Sequence, residues 1–173
     1  MPPAERLARV AIALAVAGAA IVGATAALVA LPDLRASVGL TPAAYSVRQT
    51  IDVPRAAYDS DAFTLLIFAR STCEVCQRSS PFLRALAAEA AQAGVGVRLL
   101  SSDPVPQNER MFAGALGLAD AQVVPVDLKT LRLRRVPTIL LVDRQGAIRY
   151  AREGAVPAAE QQDVVRTVIS VTR

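Results

Sequence analysis

The chain has 173 residues, room for one compact domain and an appendage but not for two full domains. Its 19 basic and 15 acidic residues leave a net charge of +4, and only 4% of residues are aromatic. A nucleic-acid surface needs a basic stripe with stacking rings, so no nucleic-acid partner is expected. With no histidine in the chain, Ser-His and Cys-His hydrolases are excluded, and chemistry is left to cysteine, carboxylates and Arg or Lys.

Residues 1–9 include Arg6 and Arg9, which precede an uncharged apolar run over 10–31, VAIALAVAGAAIVGATAALVAL. A helix over that run would span about 30 Å, the thickness of a bilayer's hydrocarbon core. Read as a single-pass anchor in the inner, cytoplasmic membrane, it keeps 1–9 in the cytoplasm and puts everything after Leu31 in the periplasm or outside the cell. The other reading is a signal peptide, with Ala24-Thr25-Ala26 as its cleavage site and a secreted product. Both export the remainder of the chain. Residues 32–59, with Pro32, Gly39, Pro42 and Pro54, read as a tether carrying a short strand around Gln49 to Val53.

From residue 60 to 173 the pattern is regular. Phe63 to Ala69 is a continuous apolar run, expected of a strand buried on both faces. A helical stretch follows to about Ala93, with Val75, Phe82, Leu83, Leu86 and Ala90 on its inner face, and then a strand over Val95 to Leu100. Pro106 to Leu118 predicts a helix with Met111, Ala115 and Leu118 on one side and Met111 in the core. Val123 to Leu133 is a short strand, a turn and a basic segment. Thr138 to Val142 predicts a strand, Asp143 to Gly146 its turn, Ala147 to Arg152 the hairpin partner, and Pro157 to Val171 a closing helix, with Val164, Val165, Val168 and Ile169 facing inward. Strands and helices in that order imply an α/β fold, a mixed central sheet flanked by helices.

The only two cysteines lie in STCEVCQRSSP, at Cys73 and Cys76. Two cysteines without histidine cannot complete a four-ligand structural zinc site, so no metal is expected. So short a loop also gives a disulfide little entropic value as a staple. Ser71 and Glu74 match an S-x-x-E capping box, which predicts a helix starting near Thr72. Cys73 then sits in the first turn, where unpaired N–H groups and the helix dipole favour a thiolate. Cys76, one turn on and more buried, would resolve the mixed disulfide that Cys73 forms. Lys129, Arg132, Arg134 and Arg135 read as a solvated face or as a cationic rim selecting acidic partners. Asp103, Glu109, Asp120 and Asp127 lack metal-ligand spacing and are assigned to surface and caps.

The strand FTLLIFA, the CxxC and Pro81 inside the following helix resemble the active-site segment of the thioredoxin-like superfamily. Arg135-Val136-Pro137-Thr138 resembles that family's cis-proline segment, TILLVDRQG its strand and turn, and Gly154 the glycine before its last helix. The length between Cys76 and Pro137, the apolar run and the DRQG turn are similar to the membrane-anchored TlpA/ResA-like redoxin branch. The resemblance implies a thiol–disulfide oxidoreductase with Cys73 as nucleophile, Cys76 as resolving cysteine and Pro137 presenting backbone to substrate. Thr72, Arg135 and Val136 would line that substrate. No cofactor is implied beyond a redox-active Cys73–Cys76 disulfide. The implied partners are an exported disulfide protein, such as one in cytochrome c maturation or metal insertion, and a membrane thiol donor. Disulfide donation in the reverse direction, and a non-catalytic redox-sensing or docking module, are the alternative readings. Thr72 stands where thioredoxins have tryptophan, while Ile67 and Ser79 stand where carboxylates assist proton transfer in that family.

Overall fold

A computed structural model describes residues 45–102, 104–127 and 130–172. The apolar run at 10–31 and the first part of the tether lie outside the described residues. Among the described residues, no helix is long and apolar enough to cross a membrane.

Five strands form one sheet in the order β3-β2-β1-β4-β5. They are β1 (Phe63–Phe68), β2 (Gly96–Ser102), β3 (Val123–Val126), β4 (Thr138–Asp143) and β5 (Ile148–Glu153). β1 pairs parallel with β2, and β2 with β3, while β4 runs antiparallel to both β1 and β5. Helices α1 (Glu74–Gln92), α2 (Gln107–Ala115) and α3 (Gln161–Val171) complete the fold. The resulting mixed α/β architecture is thioredoxin-like.

Side-chain alternation explains the unbroken apolar runs over 65–68 in β1 and 139–142 in β4. Leu65, Ile67, Ile139 and Leu141 face a core shared with Leu83, Leu86, Phe112 and Val168 of the helices. Leu66, Phe68, Leu140 and Val142 face the other way, against Tyr45, Ile51, Tyr58 and Leu131. Neither face of these runs meets water, and the polar residues that flank them, Thr64, Thr138 and Asp143, are themselves buried. That second core corrects the tether. Residues 43–173 form one compact unit, and Tyr45, Ile51 and Tyr58 are buried in it. Instead of a strand at Gln49 to Val53, a single bridge links Thr50 to Ala147. The Arg132 backbone N–H donates to the Tyr45 hydroxyl at 3.1 Å, which ties the segment to the chain ahead of β4.

Two helix faces differ from the periodicity reading. Met111 is 70% exposed, and the apolar residues that α2 and its end bury are Phe112, Ala113, Leu116 and Leu118, so of the expected face only Leu118 lies inside. Val75 is exposed as well, beside the buried Cys76 in the same turn of α1. In α3, Val164 and Val168 are buried, whereas Val165 and Ile169 are half-buried. The β4–β5 turn needs Gly146, whose φ is +79° and whose added Cβ would lie 2.8 Å from the Tyr58 hydroxyl.

Candidate active site: a dithiol at the head of α1

β1 ends at Phe68 and α1 begins at Glu74, so both cysteines stand at the edge of the parallel half of the sheet. Cys73 is the N-cap residue itself, in extended conformation, and its Sγ accepts the Cys76 backbone N–H at 3.2 Å. The capping box is therefore corrected: sulfur takes the place that a serine oxygen was expected to hold, and the helix starts two residues later. Ser71 is engaged elsewhere. Its N–H and its hydroxyl both donate to the Glu109 carboxylate, at 3.1 and 2.9 Å, and the Asn108 amide donates to the Ser71 hydroxyl at 2.6 Å. The Gln77 side-chain amide in turn donates to the Ser71 carbonyl. Glu74 pairs across one helical turn with Arg78 at 3.4 Å, both of them largely exposed.

The two sulfurs differ in access. Cys73 is partly exposed, whereas Cys76 is fully buried. Burial pushes the Cys76 thiol up to about 12, helped by the hydrogen bond with Cys73 and by the negative charges of Cys73 and Glu109, and opposed by a backbone hydrogen bond at Arg70. Pro81 lies within α1, exposed, where it removes one helical hydrogen bond. The Ser79 hydroxyl donates to the Val75 carbonyl at 2.8 Å, so that position caps backbone and carries no acid.

The Val136–Pro137 peptide bond is cis. Around it, the Gly154 N–H donates to the Pro137 carbonyl at 2.7 Å, and the Thr138 hydroxyl donates to the Arg135 carbonyl. Val136 is half-buried and, together with Arg70, Ser102, Glu109 and Leu133, lines a cavity of about 40 Å³. That cavity lies between the end of β1, the proline segment and α2. Thr72 and Arg135 are exposed, Pro137 is buried. Arg132 is held by Asp52 at 3.0 Å, Arg134 is exposed, and Lys129 lies outside the described residues, as does Asp103.

Glu109 is the functional candidate that residue spacing did not disclose. It is only 5% exposed, which corrects its assignment to the surface. Asp120, in contrast, is exposed and faces Arg110 at 3.8 Å. A carboxylate at the first turn of a helix reads as a cap, and only the fold brings this one to Ser71. Among the described residues no group of three or more candidate ligands could hold a metal ion.

A parallel–antiparallel sheet with a CxxC at the head of its first helix and a cis-proline in the segment before β4 defines a thioredoxin-like protein, the class of the thiol–disulfide oxidoreductases. Residues 40–159 match the family model of TraF, the F plasmid transfer operon protein, and the chain belongs to that family. No curated protein matches the sequence. Among solved structures, the chain is similar to a DsbE-assigned thiol:disulfide interchange protein from Chlorobium tepidum, with 17% identity and a TM-score of 0.57, over 74% of this chain and 99% of that one. It is similar also to the thioredoxin domain of a thiol-disulfide oxidoreductase from Bacteroides vulgatus, with 13% identity and a TM-score of 0.54, over 72% of this chain and 99% of that one. A thioredoxin-family interchange protein from Chlorobium tepidum TLS aligns at 13% identity and a TM-score of 0.53, over 75% and 98% of the two chains.

Proposed function

We propose that the chain is an extracytoplasmic thiol–disulfide oxidoreductase that reduces a disulfide in an exported protein. The observation that carries this reading is the division between the sulfurs: a partly exposed Cys73 capping α1, and a buried Cys76 whose N–H points at it across 3.2 Å. The thiolate is the attacking species in disulfide exchange. Cys73 attacks one sulfur of the partner's disulfide. The partner's S–S bond breaks, one partner thiolate leaves, and a Cys73–partner disulfide forms. Cys76 loses its proton and attacks the Cys73 sulfur, releasing the second partner thiolate and leaving a Cys73–Cys76 disulfide. The partner gains two electrons, and a membrane thiol donor must return them to the pair.

The exposed Thr72 and Arg135, with Val136 and the cis Pro137, form the rim against which an extended substrate strand would lie. The apolar run at 10–31 supports an anchor that holds this domain on the outer side of the membrane. The test is capture: a Cys76→Ala chain, expressed full length, accumulates mixed disulfides through Cys73 that reductant releases. A Cys76→Ala chain that captures no more protein than a Cys73→Ala, Cys76→Ala chain contradicts the reading.

A further inference from the structure

Two carboxylates, Glu109 and Asp143, are buried to the same degree, each 5% exposed. Their surroundings differ. Asp143 has a guanidinium, with Arg149 at 2.7 Å, besides N–H donors from Gln145 and Ala147 at 2.9 Å each. Glu109 forms no ion pair among the described residues and is held only by the Ser71 N–H and hydroxyl. Its neighbour Arg110 turns outward to Asp120. A buried carboxylate without a cation is costly, and such charges cluster where they act on a reacting group.

We propose that Glu109 is a positioning residue of the dithiol: through Ser71 it holds the turn that presents Cys73, and its charge bears on Cys76 from the inner side. The inference rests on the exchange reading above. The geometry has two arms. The Ser71 turn is gripped from α2 by Glu109 and Asn108, and from α1 by Gln77, so the approach to the cap cannot shift without breaking them. The carboxylate also stands on the wall of the cavity that separates α2 from Arg70 and Val136. Of the charged groups around, Arg70, Arg134 and Arg135 are exposed, and Glu74 is paired with Arg78 on the outer face. Glu109 and Cys73 are the charges that act on Cys76, and both disfavour its thiolate. One side chain on a helix remote in sequence thus holds the attacker in place and adds to the hold that burial already exerts on the resolver.

The experiment uses the full-length reduced chain in detergent and Ellman's reagent as an aromatic disulfide, in single turnovers across the neutral to mildly alkaline range. The first thionitrobenzoate released reports attack by Cys73, the second resolution by Cys76. Glu109→Gln keeps an acceptor for Ser71 and removes the charge. Its first release is expected to match the parent, and its second to be about twofold faster at neutral pH, the ratio for about half a pKa unit once the accompanying fall in thiolate nucleophilicity is counted. Ser71→Ala keeps the charge and loosens the turn, so its first release slows while the pH dependence of its second is unchanged. A Glu109→Gln second release equal to or slower than the parent's overturns the charge arm, and an unchanged first release in Ser71→Ala overturns the positioning arm. If the parent chain gives no second release, the exchange reading fails and this inference with it; a parent that resolves normally beside unaltered variants sinks this inference alone.

Discussion

The dithiol turn and helix α2 meet at one site but are built on opposite terms. The turn from Ser71 to Cys76 is local: six consecutive residues place a sulfur as cap and aim the N–H of a second cysteine at it. What α2 contributes is wholly non-local, since Glu109 reaches Ser71 across 38 positions of sequence. The local part supplies the reactive atoms. The distant part grips the turn and adds a buried charge to the difference that burial already makes between the two thiols. Catalytic identity can thus sit in a short motif while the hold on its atoms is shared with whichever element packs against it.

The largest stability effect expected from breaking the contact between these regions is that of Glu109→Ala. It strips the Ser71 N–H and hydroxyl of their acceptor and costs about 1.5 kcal/mol, within the range for a buried donor left unpaired. Urea unfolding midpoints of the reduced chain check it; an unchanged midpoint would mean that α2 merely rests on the turn.

Next comes a pH dependence set by Cys76. Its thiol is raised in the fold from an ordinary 9.0 to about 12. A group whose folded value is raised stabilises fully below its unfolded value, and that stability is lost as pH climbs toward the folded one. The reduced chain should therefore lose stability above about pH 9, on the order of 1 kcal/mol within the first pH unit. Cys76→Ala should flatten this decline, and a decline of equal slope in that variant would assign it to other groups.

The smallest effect belongs to the outer face of the turn. Glu74 and Arg78 are mostly solvated, so Glu74→Gln should shift stability by less than about 0.5 kcal/mol and leave exchange unaltered. A larger loss would show that the turn is held from outside rather than from α2.

The same contrast separates what could be read along the chain from what could not. β1, the CxxC, Pro81, β4 and its turn are contiguous patterns, and apolar continuity with turn residues locates them. The capping box failed because S-x-x-E describes only neighbours, whereas Ser71 is committed to a carboxylate from another helix. Met111 and Phe112 are adjacent and both apolar. The spacing Met111–Ala115–Leu118 competes with Phe112–Leu116, and only packing in the core selects the second, with Leu118 alone of the first set buried beside it. Tyr45, Ile51 and Tyr58 have no period at all. They belong to the domain because one face of the sheet would otherwise stand open.

The central claim is that the two sulfurs are unequal, one presented and one held back. Brief alkylation of the reduced full-length chain with iodoacetamide at neutral pH, followed by peptide mass mapping, tests it most directly. The account predicts label on Cys73 with Cys76 left unmodified until the chain is unfolded. Equal labelling of both, or Cys76 labelled first, would contradict it.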